Sequence, residues 1–191
     1  MTARGPYAKT AVRREEILDA ALRIISETGW SGATLLQIAD AVGMSKPGLL
    51  HHFGSRDALF TAVLQRRDER DFDIEGDDLL DHFVSVVRHN AEVPGLVALY
   101  SALSGAGATE QDGTPARDFL RLRYPEIVAR YADAIRARQA EGTIDSGHDP
   151  ESLARLLIAS ADGLQTQWLL DDSVDMAAHL ETLLRLSAPR A

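Results

Sequence analysis

The sequence predicts an all-α fold of about nine helices, with a small three-helix motif in an N-terminal head and a larger helical body behind it. Three observations predict it. Apolar residues recur at spacings of three and four along most of the chain, whereas few segments alternate with period two. Helix caps and glycine stops punctuate those stretches at short intervals. The 191 residues are 45% apolar and 26% charged, enough for a real core under an ordinary solvated surface.

The first predicted helix runs from about Ala11 to Glu27, with Ile17, Leu18, Ala21, Leu22, Ile24 and Ile25 as its apolar stripe and Gly29 as its stop. Trp30 opens a short connector, Trp30-Ser31-Gly32-Ala33, and is read as a plug in the head's core. The second helix starts at Thr34-Leu35-Leu36-Gln37. There the Thr34 hydroxyl accepts from the third helical amide and Gln37 reaches back, a capping box. Leu35, Ile38, Ala39 and Val42 form its inner face, and Gly43 ends it where a left-handed backbone suits a residue without Cβ. Ser45 caps a third, short helix that tolerates Pro47 in its first turn and closes at Phe53-Gly54. Ser55 caps a fourth, Arg56 to about Arg70, buried through Leu59, Phe60, Val63 and Leu64. Two short helices separated only by Gly43-Met44 cannot lie antiparallel. They cross steeply and expose the second, which is a helix-turn-helix over residues 34–53.

An acidic join, Phe72 to Asp78, leads to the body. Five helices are expected there: 79–91, 94–104, 115–141 with a bend near Pro125, 150–170 capped by Asp149, and 174–187 capped by Ser173. A glycine-rich loop is expected at 105–114. The domain boundaries are therefore 1–70, with a basic arm over 1–10, and 71–191.

Charge divides along the same line. Residues 1–70 carry ten Lys or Arg against eight Asp or Glu; residues 71–191 carry ten against twenty-one. The first fourteen residues are +4 with no acid. A basic head on an acidic body suits one end facing phosphates, although a skew of this kind also arises when each surface is merely solvated. There are no cysteines, hence no disulfide framework and no thiolate zinc site. The polar, basic start lacks the apolar stretch of a secretory signal, and no run of about 18 apolar residues occurs. A cytoplasmic protein with no membrane partner is expected.

An exposed short helix fits the major groove, about 12 Å wide, where each base pair shows a distinct donor and acceptor pattern. The residues expected to contact DNA, by their position in the family resemblance described below, are Thr34, Leu35, Ser45, Lys46, Pro47, Gly48, His51, His52 and Arg56. Lys46 and Arg56 supply charge, and the start of the second helix offers free amides to a phosphate. His51 and His52 also read as ordinary surface histidines.

The stretch from Thr34 to Phe60 resembles the DNA-binding head of the TetR family, and the likeness extends over roughly residues 11–70 without insertions. Gly-Met-Ser-Lys at 43–46, His-His-Phe at 51–53 and Ser-Arg-Asp-Ala-Leu at 55–59 carry it. The resemblance implies a homodimer on a partly palindromic double-stranded DNA operator, and repression relieved by a small-molecule effector. Gly48 stands where the family often has threonine, and Leu50 where it often has an aromatic hydroxyl. Base reading therefore shifts toward Lys46, Pro47 and His51.

In the body, Leu153, Leu157 and Leu164, with Met176, Leu180, Leu183 and Leu184, read as a dimer interface of two helices from each copy. A second stripe, Leu156, Ala159, Ser160 and Gly163, is small enough for close helix approach. Asp162-Gly163-Leu164 and Trp168-Leu-Leu-Asp-Asp172 are similar to a BetI-like TetR subgroup. A ligand pocket is expected among Phe83, Val86, Tyr100, Leu103, Phe119, Tyr124, Tyr131, Gln165 and Trp168, residues that equally describe a closed core. No cofactor or metal is expected, since His82 and His89 have no further ligand at metal spacing. No phosphate loop, His-Glu-x-x-His or cysteine nucleophile points to an enzyme. A regulator that activates, or that binds a protein partner, remains the alternative within the same fold.

Overall fold

The computed structural model describes residues 6–72 and 78–189. Among them lie nine helices: α1 (Pro6–Thr28), α2 (Leu35–Ala41), α3 (Lys46–Phe53), α4 (Arg56–Phe72), α5 (Leu79–Asn90), α6 (Pro94–Thr109), α7 (Pro115–Ala140), α8 (Pro150–Leu170) and α9 (Met176–Leu186). The all-α expectation and the helix number are both met.

These helices group into two compact units. Among the described residues, one comprises α1 to α4 together with residues 94–117; the other comprises residues 78–93 and 118–189. The helix of 94–109 thus packs with the head, on α1 and α4, although its position in the chain placed it in the body. Its sequence shows why it has no solvated side to spare. Leu96, Val97, Leu99, Tyr100 and Leu103 are all buried, and Gly95 lets its backbone close on that of α1.

The first unit is built around the expected residues. Ile17, Ile25, Ile38, Leu49, Leu59 and Phe60 are each 0% exposed, so every helix from α1 to α4 contributes to one core. Such burial stabilises each large side chain by about 1.5–3 kcal/mol. The second unit packs α5 on α9 and α9 on α8. Val84, Val87, Ala161, Leu164, Met176 and Leu180 form its cluster, with Phe83 and Trp168 against it.

Three boundaries differ from expectation. Helix α1 starts at Pro6, so the second half of the anticipated arm is helical backbone; residues 1–5 lie outside the described residues. Helix α6 continues through Gly105 and Gly107 to Thr109. The guanidinium of Arg117 donates to the carbonyls of Gly107 (3.1 Å) and Ala108 (3.4 Å), satisfying helix-end acceptors that glycine-rich sequence alone would leave to water. Finally, α9 is capped by Asp175, whose carboxylate accepts from Ala178 N at 2.9 Å. Ser173 is instead folded onto Asp171, with its hydroxyl donating at 2.6 Å.

Candidate nucleic-acid interface

The helix-turn-helix forms through local hydrogen bonds that the sequence specifies. Thr34 is extended (φ −110°, ψ 150°), its hydroxyl oxygen accepts from Gln37 N at 3.2 Å, and Gln37 Oε1 accepts from Thr34 N at 2.9 Å. The Thr34 hydroxyl also donates to Gln37 Oε1 at 2.7 Å, so its proton is already engaged. At the other end of α2, Gly43 takes φ +64° and Met44 N donates to Ala39 O at 2.8 Å, which reverses the chain. Ser45 then caps α3 by accepting from Gly48 N at 3.2 Å, with Pro47 in the first turn.

Helix α3 is held by a single fully buried side chain, Leu49, and its outer edge is open. Ser45, Lys46, Pro47 and His51 are exposed; Gly48, Leu50 and His52 are half-buried. The rings of His51 and His52 meet edge-on at 6.2 Å. A Cβ on Gly48 would stand 3.3 Å from Ser45 Oγ, so a larger residue there would press on the cap. Leu35 is half-buried at the start of α2. The outer edge therefore offers a hydroxyl, an ammonium and an imidazole within two turns of a short helix, a set suited to base edges and phosphates.

Three arginines of the head, unlike the exposed Lys46, make contacts within the motif. Arg56 lies over two rings, 4.4 Å from the centroid of Phe60 and 5.2 Å from that of Trp30, and donates to Trp30 O at 3.2 Å. Arg13 donates to Val42 O at the exit of α2. Arg14 lies over the Phe53 ring at 4.4 Å, at the exit of α3. Sequence reading did not find these inward contacts. A basic residue near a phosphate-facing helix looks the same whichever way it points.

The comparisons with known proteins bear on this head first. Residues 17–63 match the family described as bacterial regulatory proteins, tetR family. That match lies wholly within the head. Over 60 residues the chain is 43% identical to the HTH-type transcriptional repressor Rv1474c of Mycobacterium tuberculosis, covering 31% of this chain and 32% of that protein. It is 35% identical over 81 residues to the repressor AcnR of Corynebacterium glutamicum, covering 42% of each. The chain thus spans about a third to two-fifths of the length of these curated relatives. A longer likeness, 29% over 151 residues and 76% of each protein, joins it to the regulator UidR of Escherichia coli strain K12. Among solved structures, a putative TetR-family transcriptional regulator from Rhodococcus sp. superposes with a TM-score of 0.72 at 26% identity, covering 94% of this chain and all of that one. Salmonella enterica GusR superposes at 0.66 and 27% identity over 94% of this chain and 95% of its own. The TetR-type resemblance thus extends beyond the head as fold.

In the remainder of the chain, the expected body residues separate into groups. Leu153, Leu157, Leu164, Met176 and Leu180 are 9% exposed or less, buried in the chain's own packing, and Leu183 and Leu184 are half-buried. Nothing in the sequence period distinguishes an inward stripe from one that meets a partner. The open apolar side is the neighbouring one. Leu156 is 58% and Leu186 75% exposed, and Ala159, Ser160 and Gly163 line a groove of about 380 Å³ between α8 and α9.

Of the expected ligand set, Tyr100 and Leu103 are buried in the first unit. In the second, Phe83 meets Tyr131 at 4.8 Å, and Tyr124 donates to Asp162 at 2.8 Å. Phe119 is buried and Val86 half-buried. Gln165 is 6% exposed and its side-chain oxygen has no hydrogen-bond partner. A separate, polar groove of about 510 Å³ runs past Arg88, Arg138, Glu181 and Arg185, and none of the expected ligand residues lines it. Among the described residues no group of three His, Cys, Asp or Glu is placed to hold a metal, and no helix is long and apolar enough to cross a membrane.

Proposed function

We propose that the chain is a homodimeric DNA-binding transcriptional repressor, acting in the cytoplasm and released from a palindromic operator by a small molecule. The observation that carries this reading is the open edge of α3, where Ser45, Lys46, Pro47 and His51 are exposed on a helix anchored from behind by Leu49. Lys46 supplies the phosphate or guanine contact and His51 a ring donor one turn later. The relatives Rv1474c and AcnR are transcriptional repressors, which supports repression as the direction of control.

Self-association uses the open side of α8 and α9, where Leu156 and Leu186 are exposed and the small Ala159, Ser160 and Gly163 allow close helix approach. The effector is received in the second unit, where Gln165 keeps a buried acceptor unpaired. Such a group costs about 1–3 kcal/mol until a donor reaches it. A BetI-like subgroup is proposed for the body on residues 162–172 alone. A reporter whose promoter overlaps a duplex selected by the chain tests the reading. Expression falls when the chain is present and recovers with the effector, whereas a rise in expression marks an activator.

A further inference from the structure

We infer that Arg56 is a positioning residue of the helix-turn-helix, holding the entry of α2 against the start of α4, and does not serve as a phosphate clamp. The inference rests on the DNA-binding reading above and concerns how the head keeps its reading edge in place.

The Arg56 guanidinium is surrounded by two rings and two carbonyls. The guanidinium stacks over Phe60 from its own helix and over Trp30 from the connector between α1 and α2, at 4.4 and 5.2 Å. Its Nη2 donates to Trp30 O at 3.2 Å, with Ala33 O at 3.5 Å beside it. Residue 33 is followed directly by Thr34, the cap of α2. One side chain therefore joins the first residue of α4 to the segment that delivers α2. Arg13 fixes the exit of α2 through Val42 O, and Arg14 the exit of α3 through Phe53. Three guanidiniums thus brace three ends of the motif. The fourth end, where Ser45 caps α3, stays open and carries the exposed Lys46. A lysine cannot replace Arg56 in this role, because an ammonium has no plane to lie over two rings and is more strongly hydrated.

The test uses the full chain, the duplex it selects from a random pool, and affinities measured over a salt series. Arg56→Lys and Arg56→Ala are compared after correction for the folded fraction, with Trp30 emission followed in a Trp168→Phe background. Both variants are expected to bind on the order of tenfold or more weakly, with the wild-type salt slope retained and Trp30 emission shifted. If Arg56→Ala does not fold, Arg56→Lys decides alone, since it keeps the charge. Wild-type affinity in a folded Arg56→Lys chain overturns the inference. So does a slope that falls by about 0.9 in Arg56→Ala, the signature of one lost phosphate contact. A folded wild-type chain that selects no duplex overturns the DNA-binding reading and this inference with it.

Discussion

The carbonyl oxygen of Ile25 on α1 lies 2.2 Å from where a Cβ on Gly95 of α6 would stand. The neighbour is backbone, so a side chain at residue 95 could be accommodated only by moving one helix off the other. Gly95→Ala is expected to destabilise the chain by about 1–3 kcal/mol, since overpacking outweighs the alanine's better helix propensity. Gly105→Ala, in the same helix with nothing within 4 Å of the added Cβ, is the control. It should stabilise by about 0.5–1 kcal/mol. Urea midpoints of the two variants should therefore move in opposite directions.

Asp78 supplies a pH dependence. Burial alone would raise its pKa, but the hydrogen bond from Arg138, the backbone amides of Asp81 and Leu80, and the Arg138 charge together hold it below the ordinary 3.8. Arg138 reaches the two carboxylate oxygens at 2.9 and 2.8 Å. A carboxyl lowered on folding contributes stability above its unfolded value and loses that contribution as pH falls through the folded one. Asp78→Asn keeps a helix cap but loses the ion pair. It should be less stable than wild type by about 1 kcal/mol at pH 7. The two should converge below pH 3.8, which urea unfolding across pH would show.

Lys46 is exposed at the first position of α3. Lys46→Ala should weaken DNA binding and, if the ammonium meets a phosphate, reduce the salt slope by about 0.9. A weaker complex with an unchanged slope instead assigns Lys46 to a base. Fluorescence anisotropy over a salt series separates these outcomes.

The adjacent leucines of α8 give opposite expectations. Leu157 is 0% exposed, and Leu157→Ala should cost about 2–5 kcal/mol of stability. Leu156 is 58% exposed, and Leu156→Arg should leave each folded chain intact while shifting dimer to monomer in sedimentation. An unchanged dimer would remove that side of α8 from the interface.

Much of this was legible in the sequence because it is local. The capping box at Thr34 and Gln37, the left-handed turn at Gly43 and the Ser45 cap are set by residues within three or four positions of one another. What the sequence did not show depends on distant groups. The extension of α6 to Thr109 relies on Arg117 reaching back to two carbonyls. The inward turn of Arg56 relies on Trp30, 26 residues earlier. The stripe of Leu153, Leu157 and Leu164 has the period of any apolar helix face, so it gave no sign that the chain's own helices already cover it. The departures at Gly48 and Leu50 were visible from the start, and they leave α3 with few side chains able to read bases.

Selection of duplexes from a random pool by the purified chain tests the central claim most directly. The wild-type chain should enrich a partly palindromic site with half-sites about 10 base pairs, or one helical turn, apart, and that enrichment should be lost when Lys46 and His51 are replaced by alanine. A folded dimer that enriches no palindrome, or the same site enriched without those two side chains, would contradict it.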